Sequence, residues 1–167
     1  MSIVVRLATS SDALDMAEVH MRSWEAAYKD IIPIDFICEK NAGRPALWEN
    51  ILRNENTTQY IIKKDGKTVG MMGMSVSLDE DTDAGTYELM GLYLLPDYFY
   101  LGIGTQAMEF AFKKARNLEM KDMTVWLLEN NHNAKRFYEK CGFVPDGCLR
   151  EQYFGKILNI IRMRRKL

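Results

Sequence analysis

The chain has 167 residues, 47 % apolar and 27 % charged, with 22 Lys and Arg against 23 Asp and Glu. That length suits one domain, 1–167, with a real core, and the near-neutral charge gives no footing for non-specific nucleic-acid binding, which needs many phosphates neutralised. No apolar run approaches a membrane span, the N-terminus lacks a secretory pattern, and Cys38, Cys141 and Cys148 show no CxxC spacing, so a cytoplasmic protein without metal or disulfides is expected.

Ile3 to Leu7 reads as a short strand. Ser10-Ser11-Asp12 supplies helix-capping chemistry, and Leu14, Ala17, Met21, Trp24 and Tyr28 follow at helical spacing as one apolar stripe that ends near Pro33. A second helical region runs from about Ile34 to Leu52, interrupted near Asn41-Ala42-Gly43 and Pro45. Gln59 to Lys64 and Lys67 to Ser77 are strands around Asp65-Gly66, a two-residue hairpin signal. An acidic loop with Asp79, Glu80, Asp81 and Asp83 reads as solvated, or as a field that attracts a polycation. Thr86 to Leu95 is the next strand, Ile103 to about Asn117 a helix, Met123 to Leu128 a β-run, Asn133 to Lys140 a short helix and Ile157 to Met163 a closing strand. The basic end, Arg162, Arg164, Arg165 and Lys166, reads as a solvated strand end. The order β-α-α-β-β-β-α-β-α-β describes an α/β (α+β) domain with a mixed sheet.

Two segments carry the chemistry. An apolar strand stops at Pro96, and Leu101-Gly102-Ile103-Gly104-Thr105 then opens a helix. Glycines let the backbone turn tightly with no Cβ between its amides and a ligand. The first N–H groups of a helix lack internal partners and sit at the positive end of its dipole, so this turn suits a phosphate. Downstream, Asn131-His132-Asn133-Ala134-Lys135-Arg136-Phe137-Tyr138-Glu139-Lys140-Cys141-Gly142-Phe143 forms the second segment.

The ordered pair resembles the GNAT superfamily of acyl-CoA-dependent N-acyltransferases, from about Glu88 to Phe143. The resemblance implies a single GNAT-like domain with a mixed, mostly antiparallel central sheet flanked by helices, and acetyl-CoA as cosubstrate. In the family, acyl-CoA lies between two central strands that diverge at a bulge. Carried over, the backbone near Leu92 and Leu94 would hold the pantetheine arm, with Gly91 as a mark of the bulge. The pyrophosphate would sit on the amides of Phe99, Tyr100, Leu101, Gly102, Ile103, Gly104 and Thr105. Phe99 and Tyr100 depart from the family pattern, which usually has Arg or Gln, and often a further glycine or basic residue, in this loop. Asn131 falls where the family asparagine contacts the pantetheine arm, although an asparagine there is also a helix cap; Asn133 could be the cap instead.

Tyr138 shares a helical face with Ala134, Phe137 and Cys141, which by itself suggests a core tyrosine. The resemblance places it near the thioester sulfur, where a phenol can serve the departing thiolate. Glu88 is the leading candidate to deprotonate the amine, with His132, Glu25 and Asp30 behind it. Strand alternation puts Glu88, Met90, Leu92 and Leu94 on one side unless the bulge shifts the phase. The resemblance implies an acceptor site at Trp24, Glu25, Tyr28 and the Ile31 to Asp35 turn, with the acidic loop at Asp79 to Asp83 as a further candidate. The implied activity is direct transfer to a primary amine of a small molecule, polyamine-like or otherwise, or of a peptide. A CoA-binding module without catalysis is the alternative, and a homodimer is left open. A nucleotide-binding protein is disfavoured, because Thr105 stands in place of a Walker lysine and Ala107 in place of the last glycine of G-x-G-x-x-G.

Overall fold

The computed structural model describes residues 2–54 and 58–167. A seven-stranded sheet runs in the order β1-β2-β3-β4-β5-β7-β6, from β1 (Ile3–Leu7), β2 (Gln59–Lys64), β3 (Lys67–Val76), β4 (Thr86–Leu94), β5 (Asp122–Leu128), β6 (Val144–Tyr153) and β7 (Ile157–Lys166). Only β4 and β5 pair in parallel; every other neighbouring pair is antiparallel. Residues such as Ile61-Ile62 and Met71-Met72 are buried on both faces of the sheet, because helices cover both. On one face lie α1 (Ala13–Tyr28), α2 (Ile34–Ala42) and α3 (Arg44–Leu52); on the other lie α4 (Ile103–Asn117) and α5 (His132–Lys140).

Four sequence expectations change. Leu14 is 65 % exposed, and α1 instead buries Ala13, Met16, Ala17, Val19, His20 and Ser23, because it is held between the sheet and α3 and needs a broad buried face. The second helical region is two helices that meet at Gly43. β6 was absent from the predicted order. Its sequence holds Pro145 and Gly147 and most of its residues are exposed, which an edge strand tolerates, and it is irregular between Pro145 and Leu149. The basic end is not simply solvated: Arg162 is 2 % exposed, and Arg165 donates to the Cys141 carbonyl and lies over the Phe112 ring.

The bulge sits at Met90. Gly73 pairs with Gly91 while Met74 pairs with Leu89, which leaves Met90 as the extra residue on β4. The phase therefore shifts: Tyr87 and Leu89 share a core with Leu92 and Leu94, and Glu88 lies on the opposite face, the one Tyr93 occupies.

Candidate active site

β4 and β5 pair only from Thr86 to Leu89 and from Asp122 to Val125. Beyond the bulge they separate, so the β5-facing backbone of residues 90–94 has no strand opposite it. Unpaired main-chain groups in such a gap can accept an extended ligand as an added strand. Leu92 and Leu94 direct their side chains into the α4 core, which leaves their backbone groups to face the gap.

At the mouth of the gap, Pro96–Tyr98 form a 3-10 turn, and the Phe99 amide donates to Pro96 O at 3.1 Å. The Phe99 amide is thus already engaged. The amides of Tyr100, Leu101, Gly102, Ile103, Gly104 and Thr105 donate to no backbone carbonyl among the described residues; the first helical bond is Gln106 N to Gly102 O. Tyr100 and Gly102 take φ of 60° and 77°, so the chain turns twice through the left-handed region that favours glycine. The two motif glycines differ. A Cβ on Gly102 would meet nothing within 4 Å, whereas one on Gly104 would lie 3.1 Å from the Phe137 ring. Gly104 serves the contact of α4 with α5, not the turn.

Asn131 is the cap of α5: its Oδ1 accepts from Ala134 N at 3.2 Å, while Asn133 Oδ1 accepts from Arg136. Tyr138 is 6 % exposed, with its ring edge-on to Phe137 and Phe143. Burial above all, with Tyr93 next, raises its pKa, so the phenol keeps its proton. Tyr28, Tyr93 and Tyr138 form one group that interacts electrostatically, Tyr93 acting on both of the others. Tyr93 follows the small Gly91, and its ring edge lies 2.7 Å from where a Gly91 Cβ would be.

Glu88 sits apart from this cluster. It is half-buried, and its carboxyl is raised by burial and by Asp79, against the lowering effect of Arg150 and Arg162. The acidic loop beside it is not a free anionic field. Arg162 bonds Asp79, Asp81 and Asp146, at 2.7 Å for the Asp146 contact. Asp79 also accepts from Trp126 Nε1 and Arg150, and Asp83 pairs with Lys121. Burial alone would raise the Asp79 carboxyl, but the bonds from Arg162, Trp126 and Arg150 hold it below its usual range. His132, Glu25 and Asp30 are exposed, and burial raises the Cys141 thiol, so that thiol is no ready nucleophile.

Sequence reasoning missed three residues packed together on the α1–α3 face of the sheet. His20 stacks with Tyr93 at 4.9 Å and accepts from Trp48 Nε1 at 3.1 Å; burial, then Arg44, push its pKa down to about 3. Arg44 lies 4.4 Å above the Trp24 ring. Tyr93 read as an ordinary strand residue. The Gly43-Arg44-Pro45 helix start was the one local signal for Arg44, and only the packing of α1 on α3 joins it to the rest.

The family described as "Acetyltransferase (GNAT) family" matches residues 16–143. An uncharacterised N-acetyltransferase from the pepI 3′ region of Lactobacillus delbrueckii subsp. lactis is 32 % identical over 85 residues, 50 % of this chain; the match spans about half, 49 %, of that relative. The uncharacterised N-acetyltransferase YuaI of Bacillus subtilis is 25 % identical over 131 residues, covering 77 % of this chain and 73 % of YuaI. Among solved structures, the PaiA N-acetyltransferase of Thermoplasma acidophilum, in complex with coenzyme A, superposes with a TM-score of 0.79 at 21 % identity over 100 % of both chains. The fold, the ordered motif pair and the match over most of its length agree: this chain belongs to the GNAT acetyltransferase family.

Proposed function

We propose that the chain moves the acetyl group of acetyl-CoA directly to a primary amine of a small molecule or peptide, with no covalent enzyme intermediate. The observation that carries this reading is the gap between β4 and β5, with unpaired amides at its mouth. The backbone near Leu92 and Leu94 takes the pantetheine arm, the amides from Tyr100 to Thr105 take the pyrophosphate, and the Asn131 amide nitrogen steadies the arm. That the PaiA N-acetyltransferase was solved with coenzyme A supports the same choice of cosubstrate.

In the reaction, the amine nitrogen bonds to the acetyl carbon and the C–S bond breaks, its electrons leaving on sulfur. Tyr138, protonated at every working pH, donates a hydrogen bond to that sulfur. Glu88 takes the amine's proton through water, a role its raised pKa suits. The paired state of Asp79, Asp81 and Asp83 weighs against steering of a polyamine by the acidic loop.

Acetyl-CoA should raise the melting temperature while ATP and NAD do not, and free thiol should appear only when an amine is added. Binding without thiol release across a broad amine panel would leave a CoA-binding module. Glu88→Gln should lower kcat and remove the acid limb of the rate profile, since activity is lost as pH falls through the pKa of a required base; an unchanged limb moves that role elsewhere.

A further inference from the structure

Two arginines are buried among the described residues, and they are treated differently. Arg162, 2 % exposed, is surrounded by Asp79, Asp81 and Asp146. Arg44, 8 % exposed, has no ion pair among the described residues, and its Nε and Nη2 are buried without a hydrogen-bond partner. Its guanidinium lies over Trp24, whose own Nε1 is likewise buried without a hydrogen bond of ordinary geometry. No anion lies at hand to complete the set: Glu25 accepts from Asn41 Nδ2 at 3.2 Å, and His20 is an uncharged ring held by Trp48. A buried cation without a counter-charge is costly, and the stack on Trp24 leaves the guanidinium edge unused.

Position gives this edge its meaning. Arg44 lies over Trp24, Trp24 is edge-on to His20 at 5.8 Å, and His20 stacks on Tyr93 at 4.9 Å, so the cation stands behind Tyr93 on the strand that borders the gap. It lies on the α1–α3 face, away from the turn at Tyr100 to Thr105. The planar fork of arginine matches a carboxylate or phosphonate, and an indole N–H adds a third donor.

We propose that Arg44, with Trp24 Nε1, binds an anionic group on the acceptor, so that the substrates are amines carrying a carboxylate or phosphonate and not polyamines. This rests on the gap between β4 and β5 as the transfer site. Arg44 is a binding residue on this account, and Tyr93 separates the anchored anion from the reacting amine.

The test is a matched panel of α-amino acids, ω-amino acids and aminoalkylphosphonates, each beside its uncharged amide or its counterpart lacking the acid group, with spermidine included. The wild type should favour the anionic member by roughly 10–100-fold in kcat/KM, the range expected for a hydrogen-bonded charge. Arg44→Gln should erase that preference through KM while acetyl-CoA still raises its melting temperature. Arg44→Lys, which keeps the charge but loses the fork, should retain part of it. The carboxylate and phosphonate arms show which anion fits. Calorimetry of the same compounds with the enzyme–CoA complex separates the two readings: anion binding lost in Arg44→Gln, without turnover, would sink the transferase and keep the anion site. Equal use of neutral amines or spermidine by the wild type, or a preference that survives in Arg44→Gln, would overturn the inference. Should Arg44→Gln not fold, wild-type selectivity together with Arg44→Lys decides.

Discussion

The half of the molecule built from β4, α4, β5 and α5 makes its candidate contacts mainly with main-chain atoms, and the half built from α1, α2 and α3 makes them with side chains. In the first, a bulge at Met90 opens the gap and left-handed residues at Tyr100 and Gly102 expose a row of amides. Almost any side chains around such a backbone leave its donors in place, so Phe99 and Tyr100 leave this row of amides intact. In the second half, Arg44, Trp24, His20 and Tyr93 meet only because α3 folds back on α1 and both rest on the sheet. A main-chain site is fixed by local conformation and tolerates substitution. A side-chain site is fixed by packing and changes with a single residue, so on the proposed reading the acceptor half is where specificity resides.

The largest expected effect tests where the two halves join. Tyr138→Phe keeps the ring packed against Phe137 and Phe143 and removes only the hydroxyl. It should lower kcat by about 10²–10³-fold, the usual loss for one donor aimed at developing charge, with acetyl-CoA stabilisation unchanged. A loss below about tenfold would make Tyr138 a packing residue. Because its pKa is raised, wild-type activity should show no alkaline loss from Tyr138 up to about pH 10.

A smaller effect separates the two glycines. Gly102→Ala forces a Cβ into the left-handed region, a strain of about 1–2 kcal/mol, with open space around it. Its cost should fall on acetyl-CoA affinity, roughly tenfold, as the turn relaxes. Gly104→Ala presses a methyl against Phe137 and should lower the melting temperature instead, by about 1–3 kcal/mol of overpacking. Binding titrations and thermal melts of both variants check this; the reverse pattern would mean that Gly104, not Gly102, shapes the amide turn.

The smallest effect lies wholly in the acceptor half. His20 is held near pKa 3, below its ordinary value of 6.5, so between those values the unfolded chain binds a proton that the native state does not. Stability should therefore fall as pH drops below about 6.5, before the paired carboxylates titrate. The Asp12 contribution, held down to about 2 chiefly by Arg6, should be lost only below pH 4. Melts between pH 7 and 5 should slope downward, and His20→Gln should flatten them. An equal slope in the variant would assign the acid loss to other groups.

The sequence by itself determined the element order through α5, save that its second helical region is two helices, and also the hairpin at Asp65-Gly66, the glycine turn before α4 and the family, because each follows from local periodicity, turn chemistry or a contiguous motif. The cap at Asn131 and the buried face of Tyr138 were legible for the same reason, as neighbours on one short segment. Tertiary structure decided the rest. Whether Glu88 shares a face with Leu92 depended on one extra residue, visible only once β4 pairs with β3. Edge strand β6 exists because β7 offers it a partner, not because its residues favour extension. Nothing local distinguishes Arg44 from Arg162; one is neutralised by aspartates from a distant loop and the other is left without a counter-charge among aromatic rings. Charge pairing between remote segments is a property of the packed chain, and so the acceptor site could be read only there.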